Sequence, residues 1–256
     1  MRILSGNINL EVKDFGSKTD TPLVMISGYG SQLVDWPKSF INNLIKHKIR
    51  VIIFDNRDVG LSHKFSGKII EDPKLIWRYS YSKEKLPKEI KKPKIPYTLT
   101  NMAEDCVNIL NALDIDKSHI LGTSMGGMIA QLVAFNFPKR CKSLISVMST
   151  SGNPNLPRSS KKIIEGLNRQ PATSNKKDVI ENNLITRKLW ASPKFPTSEA
   201  ILKENFSHRY DRMYYPEGLT RQYAAIGGDG DRSQRLQKIS VPTLILHGAS
   251  DNLVPV

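Results

Sequence analysis

The chain has 256 residues, of which 39% are hydrophobic and 7% aromatic, a composition that indicates a folded protein and excludes a disordered one. Lys and Arg outnumber Asp and Glu by 38 to 24, and no stretch approaches the roughly 20 apolar residues of a membrane span. The first residues contain no apolar block like that of a signal peptide, so we expect a cytoplasmic protein without a membrane span.

Residues 8–15 alternate apolar and polar side chains, which predicts an antiparallel strand at the edge of a sheet. Five apolar runs follow, rich in leucine and β-branched residues and typical of strands buried on both faces of a parallel sheet. These runs are 23–27, 51–54, 119–122, 144–148 and 243–247. Helical periodicity separates them, at 99–113 after a threonine cap and at 128–137 before Pro138. The alternation predicts an α/β fold with a doubly wound, mostly parallel sheet.

Two stretches interrupt this alternation. A basic, proline-bearing insertion spans about 65–96, and we expect its densest lysine run, 83–94, to be a solvated surface loop because acidic residues and prolines break it up. The stretch 152–235, rich in Pro, Asn, Ser and Lys, predicts an inserted helical cap. The chain then divides into a first core part (1–151), the cap, and a second core part (236–256).

Cysteine usage and charge point to no metal, disulfide or nucleic-acid partner. Cys106 and Cys141 both lie in apolar-periodic stretches, and their spacing fits neither a metal site nor a redox pair. We therefore expect two buried, reduced thiols. The scattered lysines lack a nucleic-acid motif and an aromatic ladder that would stack bases, so we expect no nucleic-acid partner.

The sequence Gly122-Thr123-Ser124-Met125-Gly126-Gly127 joins a predicted strand to a predicted helix. A serine in so tight a turn projects its hydroxyl at the top of the sheet, and side chains at Gly122 and Gly126 would clash there. The N-terminus of the helix supplies backbone N–H groups, among them that of Met125, for a developing oxyanion. The pattern indicates that Ser124 is a nucleophile. A purely structural glycine turn is the alternative.

A second oxyanion donor is expected from the loop after an earlier strand. Ser27-Gly28-Tyr29-Gly30 follows the run 23–27 at that place, which makes the backbone N–H of Tyr29 the candidate, with Gly28 allowing close approach. An ordinary turn between strand and helix is the alternative.

Together these segments resemble the α/β-hydrolase superfamily and, within it, the bacterial esterases similar to aclacinomycin methylesterase. The resemblance covers both core parts, and it leaves the cap and the insertion 65–96 without a match. The supporting segments are 28–30 with 36–37, 54–62, 97–99, 122–131 and 242–251. In the block 55–62, Asp55, Arg57 and Asp58 are interpreted as a buried charged network that supports the site structurally.

The resemblance implies a catalytic triad whose acid follows a late strand. Asp251 fits, since it lies on the loop that leaves the run 243–247 and can orient a histidine. The other place used by relatives, 148–151, carries no carboxylate. Asp229 and Asp231 are interpreted as part of a linker between the cap and the core.

In this fold the histidine follows the acid, after one more strand. The chain ends at Val256, and none of its five histidines is a convincing base; these are His47, His63, His119, His208 and His247. We expect a C-terminally incomplete chain that lacks the last strand and helix and is nearly inactive as given, with the run 243–247 left as an uncovered, exposed edge. A complete, degenerate hydrolase that binds without turnover is the alternative.

The resulting hypothesis is hydrolysis of a small-molecule carboxylic ester through an acyl-enzyme on Ser124, with no metal or organic cofactor. A non-catalytic small-molecule-binding protein on the same fold is the second hypothesis, and binding of nucleic acid or acidic surfaces by the basic insertions is the third. Lyases, peroxidases and thioesterases of this fold share the triad, so the fold does not select the chemistry. The substrate and the oligomeric state stay open.

Overall fold

The computed structural model describes residues 1–68, 70, 72–81, 91, 93–167 and 169–256. In these residues seven strands form one sheet, in the order β1-β2-β4-β3-β5-β6-β7. The strands are β1 (Arg2–Ser5), β2 (Ile8–Phe15), β3 (Thr21–Ile26), β4 (Ile49–Phe54), β5 (Ser118–Thr123), β6 (Cys141–Val147) and β7 (Thr243–Leu246). β1 and β2 pair antiparallel to their neighbours, and β4, β3, β5, β6 and β7 pair in parallel.

Nine α-helices are present in the described part of the chain. They are α1 (Lys38–Lys46), α2 (Pro73–Tyr81), α3 (Leu99–Ala112), α4 (Met125–Asn136), α5 (Lys161–Leu167), α6 (Lys176–Lys188), α7 (Glu199–Arg212), α8 (Glu217–Asp229) and α9 (Ser233–Leu236). Thr98 caps α3, since its hydroxyl accepts the Asn101 N–H at 3.2 Å. No helix among these residues combines the length and the apolar character that crossing a bilayer requires.

Helices cover both faces of the sheet, as a doubly wound fold requires. Alternate residues of β3 belong to separate apolar clusters: Val24 and Ile26 pack with α3 and α4, whereas Leu23 and Met25 pack with α1. The predicted α/β architecture with a mostly parallel sheet is confirmed. Both cysteines are free and buried, in agreement with the sequence.

One prediction about an individual element, the edge position of residues 8–15, is wrong. β2 is not the edge strand, because β1 folds back at Gly6 and pairs along its outer side. β7 is the last strand of the sheet, and Leu244, Ile245 and Leu246 are 50%, 71% and 47% exposed, in agreement with the expected uncovered edge. Within the insertion 65–96, residues 73–81 form α2 and bury Ile76. Most of the lysine-rich remainder lies outside the described residues.

The chain divides into two compact units. The first comprises Met1–Pro154 and Tyr215–Leu246, and the second comprises Asn155–Tyr214 and His247–Val256. The stretch 152–235 is helical, but α8 and α9 belong to the first unit with the sheet, while α5, α6 and α7 form the second with the C-terminal segment.

Candidate active site

Ser124 lies in the turn between β5 and α4 and has φ 53° and ψ −119°. This left-handed backbone is strained for a residue with a side chain, so its neighbours must hold it in place. The Ser124 N–H donates to the Val147 carbonyl at 2.9 Å, and the Ser124 carbonyl accepts from the Gly127 N–H at 2.9 Å and from the Ser149 hydroxyl at 2.8 Å. These bonds use only backbone atoms of Ser124 and fix the turn from which its hydroxyl projects.

Two glycines make this turn possible. A Cβ atom on Gly122 would overlap the backbone of Gly126, and a Cβ atom on Gly126 would overlap the carbonyl group of Ile26. Because the overlapped atoms are backbone, a small side-chain adjustment cannot relieve either clash. The turn therefore packs directly against the end of β3.

The loop after β3, residues 27–33, is called the Gly28 loop from here on. Its residues 28–31 form a turn in which the Ser31 N–H donates to the Gly28 carbonyl at 3.2 Å and Gly30 has φ 66°. A Cβ atom on Gly28 would lie 3.3 Å from Cβ of Ser124 and 3.9 Å from its Oγ. The Gly28 loop therefore lies beside the Ser124 hydroxyl.

The backbone N–H groups of Tyr29 and Met125 are the two expected oxyanion donors. Met125 is the first residue of α4, where an N–H has no partner within the helix. Neither of these two N–H groups donates a hydrogen bond to another described residue. Both therefore remain able to bind an oxygen atom.

The loop after β4 holds the Gly28 loop from the other side. The Asp55 carboxylate is fully buried and accepts the Leu33 N–H at 2.7 Å and the Leu61 N–H at 2.8 Å. The next residue, Asn56, donates from Nδ2 to the Ser27 carbonyl at 3.0 Å. Asp55, which we expect to support the site, thus accepts two charge-assisted hydrogen bonds from backbone N–H groups.

Arg57 and Asp58 each form a separate buried ion pair with a distant element. Arg57 binds Asp105 of α3 through two bonds of 2.5 and 2.8 Å. Asp58 binds Arg221 of α8 at 2.9 and 3.0 Å and accepts the Tyr97 hydroxyl at 2.7 Å. Burial raises the pKa of Tyr97, which keeps this phenol a hydrogen-bond donor.

The helix α8 supplies side chains to this site that sequence reasoning placed in the cap. Gln222 accepts the Gly30 N–H at 2.9 Å and donates to the Arg57 carbonyl at 2.7 Å. A Cβ atom on Gly218 would overlap the backbone of Asp58, so the helix packs closely on the loop after β4. The sequence offers no signal for these contacts, since helical periodicity does not identify the surface against which a helix packs.

A row of aromatic rings begins in the Gly28 loop and continues across α8 to α2. Tyr29 contacts Tyr223 edge to face, with ring centroids 6.5 Å apart, and Trp77 lies 5.0 Å from Tyr223 and 5.1 Å from Tyr81. Burial, followed by the neighbouring Tyr223, raises the pKa of Tyr29. These rings place an apolar surface next to the Gly28 loop.

Asp251 lies in the second unit, in the turn after β7. One carboxylate oxygen accepts the N–H groups of Leu253 and Val254, both at 2.8 Å, and the other lies 3.5 Å from Nε2 of His247. The same Nε2 is 2.7 Å from the Val254 carbonyl. Asp251 also lines an open cleft of about 560 Å³ whose rim carries Arg158, Lys162 and Lys188.

The histidines of the first unit are engaged away from Ser124. His119, near the start of β5, has its Nδ1 2.6 Å from the hydroxyl of Ser143 on β6, and burial lowers the pKa of this histidine. His63 packs edge to face on Phe65, and His47 caps the end of α1. In the described part of this unit, no histidine is hydrogen-bonded to Ser124.

Comparison with known proteins places these features in a family context. The family described as alpha/beta hydrolase fold matches residues 21–256. A 2-hydroxy-6-oxononadienedioate/2-hydroxy-6-oxononatrienedioate hydrolase of Paraburkholderia xenovorans (strain LB400) is 27% identical over 159 residues, which cover 60% of this chain and 53% of that protein. Rhodomycin D methylesterase of Streptomyces sp. (strain C5) is 27% identical over 142 residues, covering 56% and 39%. The chain thus spans about half the length of the first of these curated relatives, and less of the second.

Solved structures show the same fold across the chain. A meta-cleavage product hydrolase of Pseudomonas fluorescens IP01 has a TM-score of 0.72 at 17% identity, and the match covers 100% of this chain and 82% of that one. An esterase of Exiguobacterium antarcticum has a TM-score of 0.70 at 20% identity, covering 100% and 83%. The resemblance inferred from the sequence motifs is therefore confirmed at the level of family and fold.

Proposed function

The chain belongs to the α/β hydrolase fold family, and on that premise we propose that it is a serine hydrolase of small-molecule carboxylic esters with Ser124 as its nucleophile. The observation that carries this proposal is the strained backbone of Ser124, held between β5 and α4 with Gly28 against its hydroxyl. Strain of this kind persists where the surrounding structure enforces it, often at a functional site. The relative named as a methylesterase supports an ester as the substrate.

In the proposed reaction Ser124 Oγ attacks the carbonyl carbon of the ester and loses its proton to a base. The N–H groups of Tyr29 and Met125 bind the oxyanion of the tetrahedral intermediate. The C–O bond to the alcohol then breaks, the base returns the proton to the departing alcohol, and an acyl-enzyme on Ser124 remains. Water hydrolyses the acyl-enzyme by the same sequence of steps, and no metal or organic cofactor takes part.

Asp251 is the proposed acid of the triad, with the role of orienting a histidine and stabilising its charged form. Its carboxylate accepts two backbone N–H groups, which hold it in place. His247 lies 3.5 Å from this carboxylate, but its Nε2 is occupied by the Val254 carbonyl.

We further propose that the 256 residues contain the nucleophile, the oxyanion donors and the acid but no general base. The contacts of the His63 ring with Phe65 and of the His119 ring with Ser143 support this. Loss of the histidine lowers the rate by roughly a million-fold in a protease of unrelated fold that uses the same kind of triad, so the chain as given should turn over esters very slowly. The second candidate is a non-catalytic small-molecule-binding protein on the same fold, which the unassigned base favours.

The proposal is tested by chemical rescue. The purified chain is incubated with p-nitrophenyl acetate while imidazole, a diffusible base, is titrated, and the acetylated residue is identified by peptide mass mapping. We expect acetylation of Ser124 that accelerates with imidazole and is lost in Ser124→Ala. Ser17→Ala, at an exposed serine, serves as the matched control and should behave like the unmodified chain.

The outcomes separate the alternatives. Acetylation that is unchanged in Ser124→Ala would exclude Ser124 as the nucleophile. Fast turnover without imidazole would show that the chain contains a base. If esters bind equally to the unmodified chain and to Ser124→Ala, and neither is acetylated at position 124 with imidazole, the binding protein is the correct assignment.

A further inference from the structure

Gln222 connects the two loops that flank the candidate site. It lies on α8 with a fully buried side chain, far in sequence from both partners. Its Oε1 accepts the Gly30 N–H at 2.9 Å, and its Nε2 donates to the Arg57 carbonyl at 2.7 Å. One side chain thus bridges the Gly28 loop and the loop after β4.

The chemistry of the bridge requires an amide. The Gly30 N–H needs an acceptor and the Arg57 carbonyl needs a donor, and a side-chain amide offers both at once. An apolar side chain of similar length would fill the same volume while leaving two backbone groups without these bonds. Gln222 is therefore matched to the polarity of both partners as well as to the space between them.

The position of Gly30 explains how the bridge acts on the oxyanion donor. Gly30 follows Tyr29 in the turn closed by the bond from the Ser31 N–H to the Gly28 carbonyl. Fixing the Gly30 N–H fixes the rotation of the peptide group after Tyr29, and the closed turn restricts the peptide group before it. The direction of the Tyr29 N–H is therefore coupled to the Gln222 amide.

A second contact from α8 reinforces the same loop. The Leu219 Cδ2 atom lies 2.7 Å from the position that a Cβ atom on Gly30 would occupy. Leu219 lies almost one helical turn before Gln222, so the two side chains lie on the same face of α8. The Gly28 loop is thus packed and hydrogen-bonded by one helix face.

We propose that Gln222 is a positioning residue that aims the Tyr29 N–H at the oxyanion, an inference that rests on the proposed hydrolase function. It does not touch the reacting atoms. It acts by holding the Gly28 loop against the turn of Ser124. Loss of the bridge lowers the rate of Ser124 acylation and leaves ester binding unchanged, because the donor is needed only when the oxyanion develops.

The first arm of the test measures loop order without using activity. Backbone amide hydrogen exchange is compared in the unmodified chain, in Gln222→Met and in the matched control Gln131→Met. Gln131 is also a buried amide, bound to Arg232 and Ser146, and it makes no recorded contact with the Gly28 loop. We expect faster exchange at residues 28–33 in Gln222→Met only.

The second arm measures acylation of Ser124 by p-nitrophenyl acetate with imidazole present. We expect the limiting acylation rate of Gln222→Met to fall about 10- to 100-fold, somewhat less than for complete loss of an oxyanion donor, with an unchanged half-saturating ester concentration. Gln131→Met should keep the rate of the unmodified chain. A purely structural role would alter stability without this separation of rate from binding.

The variant Gln222→Glu adds a pH-dependent readout and remains informative if Gln222→Met does not fold. A protonated carboxyl group has both a donor and an acceptor, and burial raises the pKa of a glutamate. Gln222→Glu should therefore protect residues 28–33 at pH about 5 as Gln222 does, and lose that protection as the carboxyl ionises at higher pH. The unmodified chain should show no such transition.

The results distinguish failure of this inference from failure of the proposed function. If Ser124 of the unmodified chain is not acylated, the hydrolase function is wrong and only the exchange data report on the loop. If exchange at residues 28–33 is equal in Gln222→Met and the unmodified chain, or if that variant acylates at the full rate, the positioning role is overturned.

Discussion

The backbone of Ser124 shows how single residues determine the local geometry. A positive φ is unfavourable for serine, yet the hydrogen bond to the Val147 carbonyl and those from Gly127 and Ser149 hold the turn in this conformation. The turn also needs free space at Gly126, whose missing side chain lets α4 start against the end of β3. The strain at one residue is therefore offset by packing at its neighbours.

The substitution Gly126→Ala should strongly destabilise the fold. Its Cβ atom overlaps the backbone carbonyl of Ile26, so either β3 or α4 must move, and we expect a loss of about 3 kcal/mol or more in the free energy of unfolding. Urea unfolding followed by circular dichroism measures this loss. Gly248→Ala is the matched control, because a Cβ atom there meets nothing within 4 Å and its midpoint should not change. Equal midpoints for the two variants would contradict the expected clash.

For single residues, the sequence predicts turns formed by neighbouring residues and does not predict contacts between residues far apart in the chain. The glycine spacing around Ser124 and the position of Gly28 after a strand identify the two turns, since both depend on adjacent residues. The contribution of Gln222 depends on a contact between residues 192 positions apart in the chain. No short pattern encodes such a contact.

The helix α8 shows the corresponding limit for elements. Its amphipathic sequence predicts a helix within the stretch 152–235, but the same pattern fits a helix that packs on the cap or on the core. The structure places it in the first unit, where Arg221 forms a buried ion pair with Asp58 and Gly227 packs on the Trp77 ring. Sequence periodicity thus identifies the helix and leaves its packing partners open.

Removing one side of the buried pair should cost far more than removing an exposed pair. Arg221→Met leaves Asp58 buried, with the Tyr97 hydroxyl and the Phe65 N–H as the remaining donors to its carboxylate among the described residues, and we expect a loss of about 3–5 kcal/mol in the free energy of unfolding. The double variant Arg221→Met/Asp58→Asn should recover part of it, because the unpaired charge is gone. Chemical unfolding of both variants gives the comparison.

The exposed pair Lys203–Glu199 supplies the control for that experiment. The Lys203 side chain is 57% exposed and the Glu199 side chain is 50% exposed, and the two residues lie four positions apart on α7. Lys203→Ala should therefore leave the unfolding free energy almost unchanged. If Arg221→Met proves as mild as Lys203→Ala, the Asp58–Arg221 pair does not anchor α8.

For the whole molecule, the sequence predicts which segments form the parallel sheet better than it predicts how exposed each strand is. Apolar runs indicate β3 to β7 because parallel strands are usually covered on both faces. β7 has the same apolar sequence and is nevertheless exposed, since coverage is decided by what packs on a strand. β1 escaped prediction because four residues are too few to show a clear alternation.

The two thiols provide a measure of the integrity of the main apolar cluster as a whole. Cys106 on α3 and Cys141 on β6 both belong to the cluster that lies between the sheet, α3 and α4. Burial raises the pKa of Cys106 strongly and that of Cys141 to about 11, so almost no thiolate is present at pH 8. Thiol reagents can therefore reach a reactive form only when the cluster opens.

We expect neither cysteine to react rapidly with Ellman's reagent in the native chain at pH 8, and both to react at once in concentrated guanidinium chloride. The slow native rate should follow the opening equilibrium and rise with denaturant as the unfolded fraction rises. The variant Phe195→Cys, at a side chain that is 82% exposed, is the control and should add one thiol that reacts immediately. Rapid reaction of either native cysteine without denaturant would mean that the cluster between the sheet and α3 opens locally, and that it does not unfold as one unit.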